Sequence, residues 1–364
     1  MNIYMNDITY VFTGGRQNKL SNKKNYASEF FYGFNEFKST SQKINFVELP
    51  DIDTNFSDKL LIKLTKLPIY YFKSKKASNL NYLLESKNLI FVNESSFFSF
   101  MPFISKNYKK FKGNIIYIPM GLVDRFKNGT FLTKLIIKKY LKFIDTFLFI
   151  GKGEMESYKN EISLYTDKCH FINFSIDTNF WKAQNKETLK LKNLLFIGND
   201  KNRDFEFLNQ LVESLSEYEF SVITNNEKFY NKTLSNVSYQ KGHWRSNYLT
   251  DKEILVKYLD ADLVILPIKN VSQPSGQSVA LQAMSTGTPV LITNTKGFWD
   301  SSTFLNDKNI FFVEENKITT WKKRIDFLSN NIELLSEVGK NGKDVVHANY
   351  SLSNFPQKIK KYLV

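Results

Sequence analysis

Short runs rich in β-branched and aromatic residues recur along this chain, and a helix-length amphipathic stretch separates each run from the next. Such alternation predicts parallel sheets that are covered by helices on both faces. At 364 residues, the chain has the right length for two domains of common size. The expected strands are 2–12, 44–49, 88–92, 114–119 and 146–150 in the first half, and 171–174, 193–197, 220–224, 236–239, 262–266, 289–293 and 309–313 in the second. We therefore predict an α/β protein with two doubly wound, Rossmann-like domains in tandem, hinged at the polar stretch 178–192.

Several classes of protein are excluded by what the sequence lacks. Cys169 is the only cysteine and there are three histidines, so neither an internal disulfide nor a structural zinc site is expected. The first residues do not have the pattern of a signal peptide, and no apolar run approaches the roughly 18 to 20 residues that span a bilayer. We expect a cytoplasmic protein whose membrane contact, if it has any, is peripheral and on the inner face of the cell membrane.

The net charge of +14 is concentrated in the first half of the chain. Residues 1–190 carry 29 Lys and Arg against 17 Asp and Glu, a balance of +12, whereas residues 191–364 carry 21 against 19, a balance of +2. This asymmetry indicates that the first domain faces an anionic partner, such as lipid headgroups, a phosphorylated acceptor or nucleic acid.

Two segments interleave lysines with apolar side chains, at 56–76 and at 97–112. The second of them has Phe97, Phe98, Phe100 and Phe103 ahead of four lysines. Both are typical of a surface that binds an anionic membrane. Ordinary amphipathic helices with solvated lysines explain each segment equally well, but the summed asymmetry favours the membrane. Nucleic acid is an unlikely partner because the chain has no recognised nucleic-acid-binding signature.

Ligands of doubly wound sheets bind beyond the carboxyl ends of the strands, so the loops there are the expected place for a binding site. Gly14 and Gly15, followed by Arg16, permit a close backbone approach after the first strand, although a glycine pair more often makes only a turn. After Gly198, the cations Lys201 and Arg203 suit a phosphate, and a solvated helix start explains them nearly as well.

A third loop is more specific, because it combines small and hydroxyl residues with a helix start. It follows the strand at 261–267 and contains Ser275, Gly276, Gln277 and Ser278. Free amides and hydroxyls at such a helix N-terminus bind a diphosphate. Gln282 lies one turn further along, where its amide reaches a ribose hydroxyl.

These loops, in this order, resemble the second domain of GT-B glycosyltransferases, specifically the family 4 group of nucleotide-sugar enzymes (glycosyl transferases group 1). The likeness is carried by FSIDTNFW at 174–181, LLFIGND at 194–200, DADLVILP at 260–267, LQAMSTGTPVLIT at 281–293 and NYSLSNFPQKIKKYL at 349–363. Arg203 falls where the family usually has a lysine for the diphosphate. The resemblance implies two domains that face a central cleft: an acceptor-binding domain at 1–180, a nucleotide-sugar-binding domain at 181–350, and a helix at 351–364 that crosses back to the first domain.

The chain departs from the family at its paired glutamates, which fall on Pro274 and Gln282. A histidine common in the first domain is also missing, since Met120 and Gly121 stand near its expected place. If the enzyme inverts, it needs a first-domain carboxylate as base, for which Glu94 and Asp124 are the candidates. Each is also explained as a helix cap or a surface charge.

The resulting prediction is a hexosyltransferase that moves a sugar from a nucleotide-diphosphate donor to an acceptor hydroxyl. The expected acceptor is a lipid-linked saccharide or glycolipid in surface polysaccharide assembly. No metal or cofactor is required, because amides, hydroxyls and cations stabilise the leaving group. His243 is expected near the base. Two alternatives stay open: a catalytically silent nucleotide-sugar-binding subunit and a DNA-modifying glycosyltransferase.

Overall fold

The structure, a computed structural model, describes residues 5–20, 22–39, 42–182, 190–227, 234–242 and 248–364. It contains two sheets, each of six parallel strands. The strands of the first sheet lie side by side in the order β2-β1-β3-β4-β5-β6. They are β1 Asn6–Phe12, β2 Ile44–Glu48, β3 Ser86–Val92, β4 Asn114–Ile118, β5 Thr146–Phe149 and β6 Cys169–Phe171.

The second sheet has the order β12-β11-β10-β7-β8-β9. Its strands are β7 Asn193–Ile197, β8 Glu219–Ile223, β9 Val237–Gln240, β10 Leu263–Leu266, β11 Val290–Thr293 and β12 Phe311–Val313. The chain reverses its direction of winding between β7 and β10, which makes this the switch point where ligands of doubly wound sheets bind. The predicted fold class, two doubly wound α/β domains, is confirmed.

Helices cover both faces of each sheet, so the central strands are buried throughout, as in β4 and β10. The helices of the first half are α1 Arg16–Leu20, α2 Phe34–Lys38, α3 Phe56–Thr65, α4 Tyr71–Ser74, α5 Tyr82–Glu85, α6 Asn93–Lys106, α7 Leu122–Lys127, α8 Phe131–Leu141 and α9 Lys152–Glu161. Those of the second half are α10 Phe205–Ser214, α11 Asp251–Asp260, α12 Gln277–Ser285, α13 Ile318–Ser329, α14 Ile332–Asn349 and α15 Phe355–Lys360.

Two expectations about the first half need correction. The strand expected at 171–174 belongs to the first sheet, as β6, because Cys169 to Phe171 pair with Phe147 to Phe149 of β5. In the segment 97–112, Phe97, Phe98 and Phe100 are fully buried in the core on α6, so they do not form a membrane surface. In the described part of the chain, no helix has the length and apolarity needed to cross a bilayer.

The last residues of the chain lie against the first sheet. Asn114 donates through Nδ2 to Tyr362 O at 2.9 Å, and Val364 N donates to Asn88 Oδ1 at 3.0 Å. Phe355 is buried and packs against Gly33. The C-terminal segment therefore packs on the first domain after the chain has completed the second sheet.

Candidate active site

A cavity of about 310 Å³ opens at the switch point of the second sheet. Its walls come from the loop after β7, from α11 and from the start of α12, and Phe30 and Trp181 close it. The lining residues are Phe30, Trp181, Ile197, Gly198, Asn199, Asp200, Arg203, Ile223, Gly242, Leu249, Asp251, Ile254, Tyr258, Ser278, Val279 and Gln282. We call it the donor cavity.

A second cavity, of about 180 Å³, lies in the cleft between the domains. One wall is Tyr32, Met120, Ile150 and Phe174, and the other is the loop 273–278. Phe30, Asp200, Arg203 and Ser278 line both cavities. The two spaces therefore meet at Arg203 and at the first turn of α12, and we call the second one the cleft cavity.

Arg203 is the cationic group among the residues that line both cavities, and the residue is only 3% exposed. Its Nε and Nη1 atoms have no hydrogen-bond acceptor among the residues that the structure describes. The nearest carboxylate oxygen, Asp200 Oδ2, is 3.5 Å from Nη1 and belongs to a partly exposed side chain. A buried cation without full pairing is costly, so this arrangement suits an anionic ligand.

Two glycines make room for that guanidinium. A Cβ on Gly198 would collide with Arg203 Nε, and a Cβ on Gly276 would lie 3.3 Å from Nη1. Gly276 also has a φ of +85°, a left-handed conformation at the N-cap of α12 that glycine adopts without strain. The glycines therefore let the cation and the helix N-terminus lie together.

The loop before α12 and the first residue of α12 are held by hydrogen bonds to both domains. Asn202 donates through Nδ2 to Ser275 Oγ at 2.8 Å and to Gln273 Oε1 at 3.1 Å. Gln277 donates through Nε2 to the carbonyl of Ile150, in the first domain, at 2.9 Å. Of the predicted loop residues, Ser275, Gly276, Gln277 and Ser278 line the cleft cavity.

Not every residue expected at the site lies there. Lys201 is exposed and lines neither cavity, and Gly14 and Gly15 also lie outside both cavities. Gly15 has a φ of +101°, so it serves the turn before α1. His243 lies outside the described residues.

The two carboxylates expected to act as a base have structural partners instead. Glu94 is buried and accepts from Tyr117 Oη at 2.9 Å and from Met120 N at 2.7 Å. Asp124 crosses the domain interface and accepts from Ser272 N at 3.3 Å and Gln273 N at 3.1 Å. Neither lines the donor cavity or the cleft cavity, so their observed contacts favour a structural role over a catalytic one.

Gln282 lines the donor cavity, as expected, but its amide is also held by two residues that sequence reasoning missed. Tyr258 Oη donates to Gln282 Oε1 at 2.9 Å, and Gln282 Nε2 donates to Glu29 Oε1 at 2.7 Å. The same Glu29 oxygen accepts from Trp181 Nε1 at 2.9 Å. The one sequence signal for such a carboxylate was the replacement of the family's glutamate by Gln282. That replacement suggests that another residue supplies a carboxylate, but it does not indicate which one.

Charged groups of the first domain also meet α11 beside this cavity. Ala27 N donates to Asp251 Oδ2 at 3.0 Å. Burial raises the pKa of Asp251 to about 6, although the positive charge of Lys19 acts to lower it. Burial lowers the pKa of Lys19 to about 8. Burial, and next the charge of Asp251, raise the pKa of Glu29 to about 8. The segment 19–30 therefore brings a partly titrating cluster onto the wall of the donor cavity.

Within the described ranges, no group of three or more His, Cys, Asp or Glu side chains is placed to hold a metal ion.

The second half of the chain matches a known protein family. Residues 177–345 match the family model described as glycosyl transferases group 1. The matched range includes every lining residue of the donor cavity except Phe30. A search of curated protein sequences finds no match.

Solved structures match nearly the whole chain at low sequence identity. Sucrose-phosphate synthase from Thermosynechococcus elongatus is 12% identical, with a TM-score of 0.71, over 98% of each chain. HepE from Anabaena, solved in complex with UDP and glucose, is 10% identical, with a TM-score of 0.68, over 98% of this chain and 99% of that one. TarM from S. aureus is 16% identical, with a TM-score of 0.60, over 78% of this chain and 58% of that one, in a complex that includes UDP. This chain therefore shares the fold of these proteins across both domains.

Proposed function

Residues 177–345 form a glycosyl transferases group 1 domain, so this chain is a glycosyltransferase of the GT-B fold, and from that premise we propose the reaction that it catalyses. It transfers a sugar from a nucleoside diphosphate sugar to a hydroxyl of a lipid-linked saccharide or glycolipid at an anionic membrane. The nucleoside occupies the donor cavity, the diphosphate lies at the junction of the two cavities, and the transferred sugar enters the cleft cavity.

The observation that carries this proposal is Arg203. Its guanidinium is buried at the junction, and two of its nitrogens lack an acceptor within the part of the chain that is described. A diphosphate supplies the missing acceptors and the compensating charge, and it binds guanidinium groups in a bidentate way.

The same groups serve the chemistry of transfer. As the sugar leaves, negative charge grows on the diphosphate, and fixed donors aimed at that charge lower the barrier. Here those donors are Arg203, the free amides at the start of α12, and the hydroxyls of Ser275 and Ser278. No acidic residue stands in the first turn of α12 to oppose the anion.

Calorimetric titration with UDP tests the donor site, since HepE and TarM were both solved with UDP. Arg203→Met is expected to weaken UDP binding by about 30-fold or more, because a charge-assisted pair worth about 2 kcal/mol is lost. Uridine, which has no phosphate, is expected to bind the wild-type protein and the variant alike. The matched control is Lys201→Met, which removes an exposed cation two residues away and is expected to leave UDP binding within about twofold of wild type.

Turnover is measured with purified protein and UDP-sugars, by release of UDP. Equal affinity of wild type and Arg203→Met for UDP would contradict the proposed diphosphate site. Binding without turnover on any acceptor would instead favour the nucleotide-sugar-binding subunit.

We also propose that the reaction needs no metal ion. The rate of turnover in the presence of EDTA is expected to stay within about twofold of the rate with Mg²⁺, because Arg203 and the N-terminus of α12 provide the positive charge.

The proposed acceptor follows from a surface of the first domain formed by α3 and α8, which we call the α3–α8 surface. The two helices touch, and Thr133 Oγ1 donates to Thr65 O at 2.6 Å. Six large apolar side chains on them are exposed: Phe56, Leu60, Leu64, Phe131, Leu132 and Leu135. The same helices carry the lysines 59, 63, 134, 138 and 139, and their one acidic residue, Asp58, is buried. Apolar side chains among cations are complementary to an anionic bilayer surface.

Vesicle flotation tests this surface, with bilayers rich in phosphatidylglycerol compared with phosphatidylcholine alone. Wild-type protein is expected to float with the anionic vesicles at low salt, and Phe56→Ser/Phe131→Ser to lose most of that binding. The control, Phe327→Ser, removes a phenylalanine of the second domain that is 45% exposed, and is expected to behave as wild type. Flotation of the double variant at the wild-type level would exclude the α3–α8 surface as the membrane contact.

A further inference from the structure

Glu29 and Gln282 form a contact between the two domains at the wall of the donor cavity. Glu29 belongs to the first domain and is completely buried, while Gln282 lies on α12 and faces the cavity. The Gln282 Nε2 and Glu29 Oε1 atoms are 2.7 Å apart, although 253 residues separate them in sequence.

A single carboxyl oxygen of Glu29 fixes two side chains of the cavity wall. Its Oε1 atom accepts from Gln282 and also from the indole of Trp181, which lines the same cavity from the linker between the domains. The other end of the Gln282 amide accepts from Tyr258 Oη at 2.9 Å. Gln282 is thus held at both ends, and the orientation of its amide follows from its partners.

A primary amide has two N–H donors and an oxygen that accepts two hydrogen bonds. Gln282 uses one donor for Glu29 and one acceptor position for Tyr258, so it keeps one of each for a ligand in the cavity. If Glu29 were absent, the amide would be free to turn over, and Trp181 would lose its acceptor. The first domain therefore controls a polar group of the second domain's ligand site.

We propose that Glu29 is a positioning residue for the nucleotide donor: it holds Gln282 and Trp181 in the binding orientation and thereby makes donor affinity depend on contact between the two domains. The inference rests on the proposed function, because it concerns the same donor cavity. Glu29 acts through Gln282 and Trp181, and it does not itself line the cavity.

A double-mutant cycle with UDP as the probe tests this role, using calorimetric titration of Glu29→Ala, Gln282→Ala and the double variant. Each single variant is expected to weaken UDP binding by about tenfold. The double variant is expected to bind UDP no more than about threefold more weakly than the weaker-binding single variant, because both substitutions remove the same Glu29–Gln282 interaction. Glu29→Gln keeps an acceptor oxygen and is expected to bind within about threefold of wild type. The control is Asp58→Ala, which removes an equally buried carboxylate that lines neither cavity, and its UDP affinity is expected to match wild type even where its Tm falls.

Three results would overturn the inference: wild-type affinity in Glu29→Ala, effects that multiply in the double variant, or no rescue by Glu29→Gln. If Glu29→Ala does not fold, Glu29→Asp replaces it, since the shorter side chain draws the carboxyl away from Gln282. At least about fivefold weaker UDP binding is then expected, and unchanged affinity would count against the role. A wild-type protein that binds no UDP would overturn the proposed donor site together with this inference, whereas normal binding in both wild type and Glu29→Ala would overturn the inference alone.

Discussion

Each domain has a buried arginine shortly after its first strand, and the two arginines have opposite hydrogen-bonding roles. Arg16 follows β1 and is 5% exposed, and Arg203 follows β7 and is 3% exposed. Arg16 donates to Thr13 O at 2.7 Å, to Thr13 Oγ1 at 3.0 Å and to Phe30 O at 3.0 Å. Within the described ranges, Arg203 has no hydrogen-bond acceptor for Nε or Nη1, and Asp200 Oδ2 lies 3.5 Å from Nη1. The first domain thus uses its cation to fasten its own segment, and the second domain holds its cation ready for a ligand.

The comparison shows that neither burial nor sequence position identifies a ligand-binding arginine. Both follow a glycine and the end of a parallel strand, where the sequence permits a ligand near Arg16 and suits a phosphate near Arg203. The two arginines differ in whether their guanidinium nitrogens have hydrogen-bond acceptors. A buried donor is normally paired, so an unpaired one needs an explanation. Arg16 is paired, and its contact with Phe30 O places the aromatic ring that closes the donor cavity.

The largest expected effect concerns folding stability without nucleotide. Arg16→Met is expected to lower the free energy of unfolding by about 3 kcal/mol, since it removes several charge-assisted hydrogen bonds and leaves buried carbonyls unpaired. Arg203→Met is expected to leave that free energy unchanged or to raise it, because it removes a buried charge that lacks full compensation. Urea unfolding of both variants without ligand measures the difference. Equal destabilisation would mean that the two arginines have the same structural role.

The glycines that precede these arginines give a second, smaller contrast. A Cβ at position 198 would collide with Arg203 Nε, so Gly198→Ala is expected to displace the guanidinium and weaken UDP binding by about 30-fold, or about 2 kcal/mol. Gly14→Ala is the matched variant: its Cβ would meet Leu49 O at 3.0 Å, away from both cavities, and UDP affinity is expected to stay within about twofold. Calorimetric titration of both variants with UDP measures this difference. A similar loss of UDP affinity in both variants would show that the two glycines do not differ in this role.

The sequence predicted the fold well, because each strand and helix leaves its own local pattern of apolar and polar residues in the sequence. Ser278, Gly198 and Arg203 were predicted at the site for a related reason, since strand-end loops of a parallel sheet meet at one edge. Glu29 was not predicted, because its position depends on how the segment 19–30 packs on another domain. The partners of Glu94 and Asp124 could not be predicted for the converse reason: Glu94 accepts from a tyrosine hydroxyl and a backbone amide, Asp124 accepts from two amides of the other domain, and a sequence does not show which donors a carboxylate reaches.

The smallest expected effect is a pH dependence of the unfolding free energy that comes from Glu29, at the contact between the two domains. Arg16 holds the segment that carries Glu29 into the second domain, and burial first, then the charge of Asp251, raise the pKa of Glu29 to about 8. A carboxyl with a raised pKa binds its proton more tightly in the folded state, so its contribution to stability is lost as pH rises towards and through that value. Relative to Glu29→Gln, wild type is expected to lose about 1.4 kcal/mol of unfolding free energy between pH 7 and pH 9. Lys19 and Lys358, whose pKa values burial lowers to about 8, act with the opposite sign, but they are present in both proteins and cancel in the comparison. Parallel pH profiles of the two proteins, measured by urea unfolding, would show that Glu29 does not titrate at the contact between the domains.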